Sequence, residues 1–266
     1  MMLAYGIFSP HPPVIIPAVG GEFVRRFEKT INSLLAVSLT LREGEIDTFV
    51  ILTPHTEIQP DQFTIRVPKA DQFTANFAEF SAPKTILNFA RDRLFTARII
   101  EATNSTGLRI EPIDDFQLDF GTSVPLFYLA SGLPQVEIVS LGVSLAGAPE
   151  HYRLGRIIRE IADNSEKKIA FIASGELSHK LFKNSPHGFN PAAAEWDKKI
   201  IQNLQVGNYE NILNQDPFEL DEIGECGFRS LATLIGAFDG IKETHKILSY
   251  EAPAGIGCAV GIWKTN

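Results

Sequence analysis

Three of the chain's six histidines follow an apolar run through a short polar stop: His11 in "GIFSPH", His55 in "FVILTPH" and His179 in "KIAFIASGELSH". Proline has no amide to give to a sheet ladder and holds the residue before it extended, so "SPH" and "TPH" let a strand run to its end and then stop it. Each histidine is thereby delivered just past the carboxyl end of a strand. In open α/β sheets the crevice outside those ends is where ligands bind. An imidazole there serves as a metal ligand or as a proton carrier near neutral pH. His11, His55 and His179 are therefore expected to converge on one site.

The other histidines differ in context. His151 opens a helix-like segment and His245 follows a charged turn, and both read as solvated, whereas His187, in the Pro/Gly loop "SPHGFNP", is a candidate to line the same crevice as His179. Two neutral imidazoles do not hold a divalent ion alone; two histidines and one carboxylate with open positions form the facial triad of non-haem Fe(II) oxygenases. The stretch "DEIGECGFRS" offers Asp221, Glu222, Glu225 and Cys226 ahead of a helix, where dipole and free amides favour an anion. Asp221 and Glu222 read as residues that cap and solvate that helix, which leaves Glu225 and Cys226 as alternatives for the third ligand. Arg229, one turn beyond Glu225, is a candidate to hold a substrate carboxylate bidentately.

Short β-rich runs alternating with helix-period segments position these residues. Strands are predicted over 3–9, 48–53, 63–67, 97–101, 136–144, 168–173, 247–250 and 257–263, and several are apolar on both faces, as strands covered by helices are. Phe23, Phe27, Ile31, Leu34 and Leu35 form the stripe of an amphipathic helix, and further helices are predicted over 123–130, 150–164, 192–205 and 227–239. The segment 69–88 has no clear period and is read as an excursion over the active face. With no linker, charge block or repeat dividing it, residues 1–266 read as one α/β domain: a sandwich whose central, largely parallel or mixed sheet is covered by helices on both faces.

Composition sets the class. With 44% hydrophobic and 21% charged residues the chain reads as a soluble globular protein. A net charge of −8 argues against a general nucleic-acid binder, which needs a basic face. Cys226 and Cys258 are too few for a disulfide framework, which suits a reducing compartment. The N-terminus lacks a basic n-region and is broken by Pro10, Pro12 and Pro13, so it does not read as a signal peptide. No apolar run approaches the roughly 20 residues that span a bilayer. A cytoplasmic protein with no membrane partner is expected, and its enclosed active face and apolar terminal strands are compatible with a homo-oligomer.

Taken in order, "FSPHPPVIIPAVG", "ILTPHTE", "LDFGTSVPL", "IASGELSHKL" and "GECGFRSLATLIGAF" resemble the class III extradiol ring-cleavage dioxygenases of the LigB type, a superfamily that includes the Memo-like proteins. The resemblance runs from residue 3 to about residue 240. It implies His11 and His55 as ligands of a non-haem Fe(II), zinc being the alternative ion, and His179 as general acid/base. The implied activity is ring cleavage of a catechol-like aromatic by O2. Two positions depart from the dioxygenase pattern. Phe120 stands in "LDFG" where those enzymes carry a histidine facing the substrate. In "GECG", Glu225 matches the dioxygenases, whereas Cys226 matches the Memo-like branch, whose cysteine ligand goes with metal or peptide binding without ring cleavage; a metal-dependent hydrolase is a third reading. The sequence favours Glu225.

Overall fold

The computed structural model describes residues 3–266. Its strands are β1 (Leu3–Ser9), β2 (Thr48–Thr53), β3 (Phe63–Arg66), β4 (Gln72–Phe77), β5 (Ala82–Arg91), β6 (Ile110–Ile113), β7 (Glu137–Gly142), β8 (Ile169–Ser174), β9 (Glu243–Glu251) and β10 (Cys258–Thr265). The helices are α1 (Pro17–Gly20), α2 (Glu28–Glu43), α3 (Arg93–Thr106), α4 (Phe120–Leu129), α5 (Ala148–Asp163), α6 (Ala193–Val206), α7 (Tyr209–Leu213), α8 (Pro217–Ile223) and α9 (Phe228–Phe238).

All ten strands join one mixed sheet, whose main path runs β4-β5-β7-β2-β8-β1-β10-β9. From β5 to β1 neighbouring strands are parallel; β4, β9 and β10 pair antiparallel at the two flanks. "TFVILT" and "IAFIAS", the two central strands, are buried at every residue, which explains their lack of polar alternation. One face carries Phe95 and Ile99 of α3, Leu154 and Ile158 of α5 and Leu231 and Leu234 of α9. The other carries Leu34, Val37 and Leu41 of α2 and Val124 and Leu129 of α4. α5 and α9 approach backbone to backbone: a Cβ on Gly155 would stand 2.0 Å from the Thr233 carbonyl oxygen, and one on Gly236 2.1 Å from that of Tyr152.

Several expectations need correction. Residues 97–101 lie inside α3, not in a strand. The run "ARIIE" is β-branched, but Asp92 caps the helix by accepting the Phe95 amide at 2.9 Å, and Phe95, Ile99 and Thr103 recur every four residues on its buried side. Residues 69–88 contain strand β4 and most of β5, a hairpin at the sheet edge. His151 is not solvated: it is 0% exposed, bonds the Gly147 carbonyl through Nδ1 and packs on Phe63, and burial pushes its pKa down to about 4. His245 is half-buried between Glu243 and the Trp263 ring. Leu35, placed on the buried stripe of the first long helix, is exposed. No helix among the described residues is long and apolar enough to cross a membrane.

Candidate metal centre

Strand β8 lies between β2 and β1, all three parallel, so the three stops open side by side on one sheet edge. His11 leaves β1, His55 leaves β2, and the turn after β8 carries Glu176 and His179. The first two meet: His11 Nε2 is 2.9 Å from His55 Nε2. The His11 ring is oriented from behind by Ser174, whose Oγ lies 2.8 Å from Nδ1 and gives its single proton to the Gly121 carbonyl. Ser174 must therefore accept from Nδ1–H, which leaves Nε2 turned into the cluster.

Cys226 reaches the same place from the loop before α9. Gly175 and Gly227 make this possible, since a Cβ on Gly175 would stand 2.2 Å from the Gly227 Cα. The Gly227 amide donates to the Glu176 carbonyl (2.9 Å) and the Glu176 amide donates to Cys226 Sγ (3.2 Å). The sulfur lies 3.7 Å from His11 Nε2 and 3.1 Å from Glu176 Oε2.

Glu176 is the functional residue that the sequence reading missed, although it stands inside the "SGELSH" turn. Its side chain is 4% exposed; Oε1 accepts the His11 amide at 2.8 Å and Oε2 lies 2.9 Å from His11 Nε2 and 3.6 Å from His179 Nε2. Burial alone would raise its pKa, but His11 and His179 hold the carboxyl well below its ordinary value, so it stays charged. His179 Nε2 is buried and has no hydrogen-bond partner. His187 stands behind it, ring centroids 5.1 Å apart, on an exposed loop.

Of the two alternatives for the third position, Cys226 faces the histidines and Glu225 does not. Glu225 turns its carboxylate to the Phe228 amide at the start of α9, and burial pushes its pKa up to about 7 against the pull of that amide and Arg229. Among the described residues, the donor atoms of His11, His55 and Cys226 lie within 4.8 Å of one another, and so do those of Glu176, His179 and Cys226. Glu225 belongs to neither group. Arg229 lies beyond it on the first turn of α9, lining a neighbouring cavity of about 370 Å³ with Leu145, Pro149 and Phe228. Phe120 packs on the donors: its ring is 4.1 Å from that of His55, 5.7 Å from that of His11, and 5.6 Å from Phe80 at the tip of the β4–β5 hairpin.

This donor set fits a metal ion. A four-coordinate ion with bonds of about 2.0–2.3 Å separates its ligand atoms by about 3–4 Å, the range seen here. Burial and the neighbouring His11 push His55 down to about 4, so it is neutral and available. Burial first, and Glu176 second, raise the Cys226 thiol well above its ordinary value. An incoming ion must therefore displace the thiol proton. Metal affinity is expected to rise about tenfold per pH unit between about pH 7 and 8.5, one proton being released per ion. Competition with a chromophoric chelator measures this, and a flat profile would contradict a thiolate ligand.

A buried network holds the His55 side. Asp119 caps α4 through the Thr122 amide and also accepts Thr53 Oγ1 at 2.8 Å, and Thr53 Oγ1 accepts the His55 amide at 3.1 Å. Arg66, 4% exposed, donates to Asp119, Thr56, the Gln117 carbonyl and Asp115. Arg66→Met would leave two carboxylates without their cation. It is expected to destabilise the fold by about 3–5 kcal/mol, read as a lower denaturant midpoint at unchanged slope.

Residues 5–261 match the family described as the catalytic LigB subunit of aromatic ring-opening dioxygenase. The chain belongs to this family. Protein CA_C1420 of Clostridium acetobutylicum is 31% identical over 262 residues, 94% of this chain but 55% of that protein, so the chain spans about half the length of that relative. The 3,4-dihydroxyphenylacetate 2,3-dioxygenase of Escherichia coli is 21% identical over 80% of this chain and 81% of its own. The crystal structure of the uncharacterized protein JW3007 from Escherichia coli K12 superposes with a TM-score of 0.62 at 19% identity, covering 98% of this chain and 99% of that one, which is a likeness of fold. Membership in the LigB family and the relation to dioxygenases accord with the resemblance in the five sequence motifs.

Proposed function

We propose that the chain is a metal-dependent oxidoreductase that brings O2 to a small aromatic substrate at a centre held by His11, His55 and Cys226. The observation that carries this reading is the convergence of those three donors beside the Glu176–His179 pair. Fe(II) suits the family, and a set of two imidazoles and one thiolate accepts it as well as zinc. When bound, such an ion lowers the pKa of a phenol and holds two reactants side by side. The chain's own residues do the rest. His179, its Nε2 free of partners, takes a phenolic proton and returns it later, while the charged Glu176 stabilises the imidazolium formed in between. Phe120 and Phe80 offer an aromatic wall on the His55 side. A catechol-like substrate is favoured by the names of the related dioxygenases.

A second reading has a specific observation behind it. Cys226 rather than Glu225 faces the histidines, and a thiolate suits a Memo-like metal-binding protein that does not cleave rings. One experiment separates the two: anaerobic purification and metal analysis, then O2 uptake with a panel of catechols. Iron at one equivalent with uptake matched to catechol loss supports the oxidoreductase. One equivalent of zinc or copper and no uptake in the iron-loaded protein would replace it with the second reading.

A further inference from the structure

Asp197 is a buried acid that neither the donor set nor the substrate wall uses. It sits on α6, 0% exposed. Its Oδ1 accepts the Ser178 amide at 2.9 Å and its Oδ2 accepts the Tyr250 hydroxyl of β9 at 2.6 Å. The groups that act on its charge are these two and His179, none of them a lysine or an arginine, and burial pushes its pKa up to about 6. A carboxylate in such a place is costly, and an apolar residue of similar size would avoid the cost.

Its position suggests why an acid stands there. Ser178 lies between Glu176 and His179, and its segment is tied down from several sides. Leu177 N donates to the Gly257 carbonyl and Gly257 N to the Ser178 carbonyl, each at 2.8 Å, and Ser178 Oγ donates to Ile223 O at 3.2 Å. Gly257 leaves the space that Asp197 fills, since a Cβ there would stand 2.1 Å from Oδ2. Two donors approach Asp197 from different elements, and only a carboxylate presents an acceptor to each in a fixed fork.

We propose that Asp197 is the positioning residue of the Glu176–His179 arm: by holding the Ser178 amide and the Tyr250 hydroxyl at once, it fixes where those two side chains meet the His11–His55–Cys226 set. The inference rests on the reading of Glu176 and His179 as the proton-handling pair. Asp197 touches neither the donors nor the substrate space and acts through Ser178. A shift of the arm by about 1 Å would cost about 10²-fold in turnover while leaving the donors in place.

The test uses the full chain with Asp197→Asn, which keeps the volume and one acceptor, Tyr250→Phe, which removes one donor, and Asp197→Ala. Each variant is read for metal stoichiometry, for Tm, for turnover and for the rate at which diethyl pyrocarbonate acylates His179, with His245 as internal reference. Unchanged metal content is expected in all. His179 acylation should accelerate in the order Tyr250→Phe, Asp197→Asn, Asp197→Ala, reaching about tenfold. Turnover should fall in the same order, and the Asn variant should retain more than the Ala variant. If Asp197→Asn and Tyr250→Phe lower Tm but leave His179 reactivity at the wild-type rate, Asp197 is a packing residue and the proposal is overturned; loss of metal in Asp197→Asn would overturn it too. A wild type without O2 uptake would instead remove the oxidoreductase reading, and the acylation rates would still decide the role of Asp197.

Discussion

Cys226→Ala is expected to lose stoichiometric metal binding, and Glu225→Ala to keep it. The sulfur lies 3.7 Å from His11 Nε2 and receives the Glu176 amide, as a ligand held for an ion would. The Glu225 carboxylate accepts the Phe228 amide, so its loss removes one hydrogen bond at the start of α9, worth about 1 kcal/mol, rather than a ligand. The pair of variants is read by metal analysis after anaerobic loading, with circular dichroism to show that both fold. The opposite result, metal lost with Glu225 and retained without Cys226, would restore the two-histidine, one-carboxylate centre that the sequence favoured.

His179→Ala carries the second large effect. Its Nε2 is 3.6 Å from Glu176 Oε2 and has no other partner, so the ring is placed to move a proton. The variant should retain its metal and lose turnover by about 10²–10⁴-fold, the usual contribution of a positioned acid/base. A variant that loses the metal would show that His179 belongs to the donor set, as its grouping with Glu176 and Cys226 also permits.

Much of this arrangement was legible because it depends on local chemistry. A proline stop after an apolar run fixes where a strand ends, and "SPH", "TPH" and "SGELSH" mark the ends of β1, β2 and β8. That these strands are neighbours follows from sheet order, which no local pattern encodes. Glu176 was missed because the direction of a side chain in a turn depends on what clamps the turn, here the Gly175–Gly227 approach. The same clamp turns Cys226 toward the histidines and Glu225 toward α9, adjacent in sequence and opposite in space. The β4–β5 hairpin was obscure for another reason: Phe73, Ala75 and Phe77 of β4 alternate with polar residues over only six positions, and β5 has no buried residue after Ala82, so no apolar period marks its partner.

The Gly175–Gly227 contact also bears on how the chain assembles. His11 and Cys226 are 215 positions apart, and their side chains meet only when the loop before α9 has closed onto the end of β8. A contact of such long range forms only once the entropic cost of closing the chain has been met. An ion held by both residues would bind the finished fold and not its precursors, and would lower the rate of unfolding far more than it raised the rate of folding. With an ion bound, the centre would act as a kinetic latch between segments far apart in the chain.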